Sequence, residues 1–546
     1  MPGPTSSKRR LRGHPRPIRA AALAIVIGTL LGACGGSGHL PVAPLPPLHP
    51  GRVGPETMFT PSVELLANPV GVLNELQRLG VDTVHVDLAW GSLAPDPGSR
   101  RRPSFDAADP AAYPAAAWTI YDTIVRDIKA RGMNTILALS PPPPAWASAP
   151  GAPDPRTQPQ WRPSAAEFGQ FVRAAGIRYS GRYVPASATT PLPRVDFWSI
   201  WNEPNLGTNI APQATDHSTV EVSPRYYRAM VDSAWAALQA TGHGHDRILI
   251  GELGPAGETN GTGPGNFNAM APLRFLRALY CVGSSYRPLR GEAAKRRGCP
   301  PDAAGSAAFA AAHPGLFHAT AFADHPYAQG QPPDRVTPDE PDYAELATIG
   351  NLERALDTLQ RVYGSKTRFP IYSTEYGYQT TPPDREAGTV GPTRAAGYLN
   401  WSEYLTWLDP RLRSYDQYLL ADPPAGYFAT GLRFADEAPK PGYAAFRLPI
   451  FLPVRATRIG HPLVVWGCVR PAHYAELTAH QPQTVVIQFR SASGGAFATV
   501  RTVPITGRHG YFEVRQTFAG SGAVRLAWSY PHGPEIFSRT VDITLR

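Results

Sequence analysis

Val195-Asp-Phe-Trp-Ser-Ile-Trp-Asn-Glu-Pro-Asn205 is apolar through its middle and then breaks into Asn-Glu-Pro. A short apolar run bounded by turn residues is the pattern of a strand buried on both faces. Glu203 stands just past its end. Pro370-Ile-Tyr-Ser-Thr-Glu-Tyr-Gly377 repeats the arrangement with Glu375. Buried parallel strands with a polar residue at the C-terminal end are what a β/α barrel presents at its functional rim.

Working outward, eight β-rich runs fall at 58–60, 83–88, 134–140, 195–201, 247–252, 319–324, 369–374 and 413–419. Between them, 70–78, 118–130, 165–179, 224–240, 272–280, 352–363 and 393–408 carry helical periodicity. In the second of these, Ile120, Ile124 and Ile128 form an apolar stripe, while Asp122, Arg126, Lys129 and Arg131 supply a polar side. The alternation predicts an α/β fold, a (β/α)8 TIM barrel over residues 56–448, with Pro-rich rim loops such as Pro141-Pro-Pro-Pro144. From 449 to 546 helical periodicity gives way to short alternating runs between Gly-rich turns, which predicts a small all-β sandwich domain. Its aromatics Trp466, Phe512 and Trp528 are expected in a core rather than on a glycan-binding face.

The first 33 residues hold Lys8, Arg9, Arg10, Arg12, Arg16 and Arg19 ahead of an apolar run, 20–31, that is short for a membrane span. This predicts an export signal over 1–33. Leu31-Gly-Ala-Cys34 resembles a bacterial lipoprotein cleavage box, so Cys34 is the expected lipidation site and the expected address is the outer face of the cell membrane, or secretion. A Gly/Pro-rich linker, 34–55, follows. Removing residues 1–33 takes away six basic and no acidic residues, so the formal charge of +9 falls to +3. With the remaining Arg residues scattered rather than gathered in a stripe, nucleic acid is not an expected partner. Of the other cysteines, Cys281 and Cys299 are close enough in sequence to pair in an oxidising compartment, and Cys468 reads as a buried thiol.

Several chemistries lack their motifs. No Gly-x-Ser-x-Gly elbow, Walker loop or zinc-site spacing occurs. Gly251-Glu-Leu-Gly-Pro-Ala-Gly257 follows a strand, but Pro255 and the glycine spacing make it a poor dinucleotide loop. What remains is the carboxylate pair. Glu203 and Glu375 are distant in sequence, yet strands four and seven of one barrel bring them to the same rim. Cleaving a glycosidic acetal needs such a pair, one carboxylic acid to protonate the departing oxygen and one carboxylate to attack or stabilise the oxocarbenium-like carbon.

Trp201-Asn-Glu-Pro-Asn205 after one strand, with Ser373-Thr-Glu-Tyr-Gly377 after a later one, resembles the retaining β/α-barrel glycoside hydrolases of clan A, in flavour families thirty-nine and five with their β-xylosidase-like and cellulase-like members. The likeness covers most of 56–448. It implies that Glu203 is the acid/base, Glu375 the nucleophile and Asn202 a ligand of the sugar 2-hydroxyl. His325-Pro-Tyr327 resembles the segment that sets a Tyr beside the nucleophile, and Trp90 and Trp146 stand where rings stack on sugars. Two departures stand out. His85 occupies a second-strand position where many relatives have Arg, which predicts a pH-dependent support of Glu375 or a different cation. Strand eight, Tyr415-Asp-Gln-Tyr418, lacks the Trp often found beneath the cleaved sugar. The implied activity is hydrolysis of O-glycosidic bonds, β-linked, in oligo- or polysaccharides, needing neither cofactor nor metal. The alternative is a catalytically silent glycan-binding surface lipoprotein.

Overall fold

The computed structural model describes residues 45–546 apart from 215–217, 262, 264 and 425. The expected signal segment and Cys34 lie outside the described residues. Among those described, no helix is long and apolar enough to cross a membrane.

Eight parallel strands close a barrel in chain order: β1 Glu56–Thr60, β2 Thr83–Ala89, β3 Asn134–Ser140, β4 Phe197–Ile200, β5 Arg247–Leu253, β6 Ala321–Asp324, β7 Ile371–Ser373 and β8 Leu412–Tyr418. β8 closes on β1 with Met58 opposite Asp416. Helices Pro69–Leu79, Ala115–Ala130, Ala165–Arg178, Ser223–Ala240, Pro272–Leu279, Ile349–Val362 and Pro392–Leu408 follow successive strands. Strand alternation divides the side chains between two cores. Val84, Val86 and Leu88 of β2 join the large cluster under the helices, where Trp118, Tyr121, Ile124, Val125 and Ile128 supply the buried stripe of Ala115–Ala130. Met58, Ile136, Phe197, Leu249, Ala321, Ala323 and Tyr372 form a separate cluster, a layer across the barrel interior like those that fill such barrels. Glu252 and Asp324, further along β5 and β6, are of another kind, as are His85 on β2 opposite Ile136 and Asp416 on β8 opposite Met58, all buried.

The C-terminal region is built from two sheets. One runs in the order Ala456–Thr457, Val541–Leu545, Gly522–Ser529, Gln483–Ser491, Ala498–Ile505, with Glu535–Phe537 beside Gly522–Ser529. The other has Tyr511–Gln516, Leu463–Cys468 and Ile450–Phe451. Both contribute to a single core that includes Val465, Val485, Ile487, Leu526 and Trp528. Trp466, Phe512 and Trp528 are all buried, so none presents a ring to solvent. The Cys468 thiol is free and buried. One pairing, Ala456–Thr457 with Val541–Leu545, is parallel.

This region is fastened to the barrel by a buried ion pair. Arg470 donates to both oxygens of Glu403 at 2.8 and 2.7 Å, to Thr57 Oγ1 at 2.6 Å and to the Phe446 carbonyl at 2.8 Å. The Tyr511 hydroxyl donates to the same Glu403 at 2.9 Å. Residues 45–55, the end of the Gly/Pro-rich tract, also lie against the folded body. The His49 N–H donates to Glu513 at 2.7 Å, and Arg52 donates to the carbonyls of Trp407 and Leu408. Cys281 and Cys299 form a disulfide.

Candidate active site

The backbone at the C-terminal ends of β4, β5 and β8 turns sharply. Trp201, Glu203, Glu252 and Leu419 all have positive φ, 74°, 40°, 46° and 74°. Non-glycine residues are held there only when their surroundings insist, at a cost of about 1–3 kcal/mol each. Here the surroundings are specific. The Glu203 N–H donates to the Glu252 carbonyl at 2.9 Å. Asn205, buried, accepts from the Gly254 N–H at 2.8 Å and donates to the Gly254 and Met270 carbonyls at 3.0 and 2.9 Å. The β4 and β5 ends are thereby locked together. Gly254 leaves room for the acid: a Cβ there would lie 3.1 Å from Glu203 Oε1.

Glu203 and Glu375 meet. One oxygen of each, together with His325 Nδ1, lie within 4.8 Å of one another. His325 bridges the pair, with Nδ1 3.1 Å from Glu203 Oε1 and 3.6 Å from Glu375 Oε2. Tyr327 donates its hydroxyl to Glu375 Oε2 at 3.0 Å. Asn202 lines the same cavity, and its Oδ1 has no hydrogen-bond partner among the described residues. Five residues singled out from sequence, Asn202, Glu203, His325, Tyr327 and Glu375, therefore converge.

His85 lines the adjoining cavity together with Asn202. Its Nε2 lies 3.1 Å from Glu252 Oε1 and both side chains are fully buried. Burial opposes a charge on His85, but the Glu252 carboxylate outweighs it and lifts the imidazole to about 9. Support from this residue is thus a lasting positive charge, not one that switches near neutrality, and the cation nearest Glu375 is His325. Trp90 and Trp146 are not brought to the cleft. Trp90 is wholly buried, stacked on Phe171 with centroids 5.7 Å apart, and Trp146 packs edge-on against it and donates Nε1–H to the Pro95 carbonyl at 3.0 Å. Two bulky rings so close in space fill the gap beneath the β2 and β3 loops.

The aromatic wall of the cleft comes from elsewhere. Tyr327, Tyr418, Tyr427 and Phe428 line a cavity of about 1050 Å³ with both acids. Phe428 packs edge-on against Tyr327 and Tyr418, at 5.4 and 5.7 Å between centroids. The loop after β8 thus adds Tyr427 and Phe428 to the ring that Tyr418 supplies at the end of the strand. It is anchored by buried Lys440, which donates to Asp422 at 2.6 Å and to the Thr380 hydroxyl at 2.8 Å.

The electrostatics follow from burial. Burial raises the Glu375 carboxyl, His325 pulls it down, Glu203 and Asp87 push it up again, and the result is about 7. Burial disfavours a charge on His325, but Glu375 and Glu203 prevail and lift it to about 10. A protonated imidazole therefore sits between the two carboxyl groups, and the Glu203 charge is one of the causes that raise Glu375. Asp324 and Asp416, fully buried nearby, are held well above the ordinary range, chiefly by burial. Glu203, His325 and Glu375 are also the one set among the described residues with donor atoms close enough to share a metal ion.

Sequence reasoning passed over Glu252, Asn205, Asp87 and Phe428. Glu252 lies in the Gly251–Gly257 segment, which drew notice only for its glycine spacing; a Glu at the end of a buried strand was the signal to follow. At the barrel's other end a cavity of about 960 Å³ also opens. Its two carboxylates are already engaged, Glu56 by Thr83 and Arg247 and Asp409 by the Arg411 N–H.

No protein-family model matches the chain, and no curated protein is detectably similar to it. Among solved structures it is similar to a glucosidase from Croceicoccus marinus, at 13% identity over 86% of this chain and 92% of that one, with a TM-score of 0.43. A family 39 glycoside hydrolase from Bacteroides cellulosilyticus WH2 shares 13% identity over 87% and 81% of the two chains, with a TM-score of 0.41. A family 1 β-glucosidase from Thermotoga maritima shares 15% over 70% and 86%, with a TM-score of 0.42. At such distances the likeness assigns no role to any residue, and the roles below rest on the geometry.

Proposed function

We propose that this chain is a retaining glycoside hydrolase acting on β-linked oligo- or polysaccharides, with Glu203 as acid/base and Glu375 as nucleophile. The observation that carries this reading is the approach of the two carboxyl groups to within 4.8 Å in an open, aromatic-walled cleft. Retention needs carboxyl groups roughly 5–5.5 Å apart, so that one can bond to the sugar; inversion needs roughly 6.5–9.5 Å, to seat a water between them.

In the first step Glu375 attacks the anomeric carbon and Glu203 gives its proton to the departing oxygen. In the second, Glu203 takes a proton from water, which releases the sugar from Glu375 with net retention. The step requires the single carboxylic proton of the pair to sit on Glu203. Tyr327 works in that direction against the burial that lifts Glu375 to about 7, because a hydroxyl donating to Glu375 favours the anion there. His325 stabilises whichever carboxylate is charged, and loss of the Glu375 charge on esterification leaves its full field on Glu203, which suits the switch from acid to base.

The test is to follow aryl β-glycosides by NMR with wild type and Glu375→Ala. Product appearing first as the β-anomer, and rescue of Glu375→Ala by azide as the α-glycosyl azide, are expected. First release of the α-anomer would exclude double displacement. We further propose export and lipid anchoring through Cys34, on the strength of the charged, apolar and Cys-ended N-terminal sequence; metabolic labelling with a fatty acid, lost in Cys34→Ala, checks it.

A further inference from the structure

Beside the catalytic cavity lies a second one of about 490 Å³, walled by β2, β3 and the loops after β1 and β4. The two share Ser62, Val63, Asn202, Thr208 and Asn209, so they are one continuous cleft with the acid pair partway along it. A pyranose ring needs far less than this volume.

Besides His85, the polar groups of the second cavity are hydroxyls and carboxamides, which both donate and accept, and one carboxylate, Asp87, which only accepts. Asp87 Oδ1 takes the Ser140 hydroxyl at 2.8 Å, which leaves Oδ2 available. Asn202 Oδ1 and Gln160 Oε1, both buried atoms, have no partner among the described residues. Unpaired buried acceptors are costly until a donor reaches them. The charges are one-sided. Asp87, Glu203, Glu375 and Glu386 line the joined cleft, and among the described residues no Lys or Arg does. The one cation in its lining, His85, is already held by Glu252, and His325, behind the acids, is held by them.

We propose that the cavity around Asp87, Ser140, Gln160 and Asn202 is a second glycone subsite for an uncharged sugar residue, with Asp87 the residue that selects hydroxyl donors and rejects uronic acids and sulfated sugars. A pocket lined by hydroxyls and carboxamides matches the O–H groups of a neutral sugar, and its one carboxylate, Asp87, accepts from them while repelling a ligand that brings its own negative charge. Cleavage then acts on chains with at least two sugar residues on the glycone side. This rests on the glycosidase reading of the acid pair, although the binding arm of the test does not.

The first arm compares kcat/KM for 4-nitrophenyl β-glucoside and β-xyloside with the corresponding cellobioside and xylobioside. The better two-sugar glycone is expected to exceed its one-sugar partner by about tenfold or more, the range for hydrogen bonds to a charged group, and Asp87→Asn or Ser140→Ala is expected to shrink that ratio severalfold. The second arm titrates cellotetraose, xylotetraose and trigalacturonate into Glu375→Ala by calorimetry. A neutral tetraose is expected to bind, trigalacturonate not, and the added change Asp87→Asn should weaken the former by about tenfold. A two-sugar to one-sugar ratio that Asp87→Asn and Ser140→Ala both leave unchanged, or trigalacturonate bound as well as the neutral tetraoses, overturns the proposal. If no glycoside is hydrolysed yet the second arm behaves as expected, the subsite stands and the hydrolase reading falls.

Discussion

The same eight strands line two very different parts of the barrel interior. Phe197 on β4 and Leu249 on β5 belong to an apolar layer, whereas Glu203 and Glu252, a few residues further along, belong to a charged one. The first layer is what a packed barrel requires. The second holds Glu203, Glu252, His325, Glu375, Asp324 and Asp416 in little space, with both Asp324 oxygens unpartnered among the described residues. Stability is concentrated below and reactivity above, so changes in the two layers should have opposite signatures.

The largest effect is expected at the rim. Glu375→Ala should lower kcat/KM by about 10⁴-fold or more while leaving the far-UV spectrum intact. Glu203→Gln should lose about 10²–10⁴-fold on substrates with poor leaving groups and much less on nitrophenyl glycosides; equal losses on both would remove Glu203 as the acid. In the apolar layer, Phe197 packs edge-on against Tyr372, 5.3 Å between centroids, with the Arg247 guanidinium 3.8 Å from its ring. Phe197→Ala should cost about 3–5 kcal/mol in denaturant unfolding, with kcat of the folded fraction unchanged.

Glu375→Gln sharpens the contrast. Because folding lifts this carboxyl from 4.5 to about 7, the fold favours its protonated form, and that preference is lost as pH rises from about 4.5 through about 7. A permanently neutral Gln should therefore leave stability unchanged at pH 4 and raise it at pH 8, by up to about 3 kcal/mol, measured as the difference in unfolding midpoint between the two pH values. A gain at pH 4 instead would reverse the assigned sign. The same group must be ionised to attack, so kcat/KM should fall as pH drops below about 7. The smallest change is Tyr327→Phe, which removes the donor to Glu375: about a tenfold loss in kcat/KM, with the acid limb of the pH profile moved upward.

The charged layer was partly legible in the sequence and the apolar one almost wholly so. Short apolar runs separated by helical periodicity place every barrel strand within about three residues, because period-2 and period-3.6 burial leave direct marks on composition. Glu203 and Glu375 are legible because each ends such a run. Trp90 and Trp146 mislead for an instructive reason: a Trp after a strand is equally suited to a sugar face and to a loop core, and only the positions of Phe168 and Phe171 on a distant helix decide. The pairing of His85 with Glu252, and the arrival of Phe428 at the cleft, depend on contacts between segments far apart in the chain.

The Arg470 to Glu403 fastening carries a consequence for how such a protein can be taken apart. Glu403 sits on a barrel helix, but among the described residues its counter-ion, Arg470, comes from beyond residue 449. Excising the C-terminal region would strand a carboxylate in an oily setting, a defect of about 3–5 kcal/mol, and strip Thr57 at the mouth of the first strand of its neighbour as well. The two halves are therefore not interchangeable cassettes: recombination at that joint must carry both ends of the ion pair, or lose the barrel with the appendage.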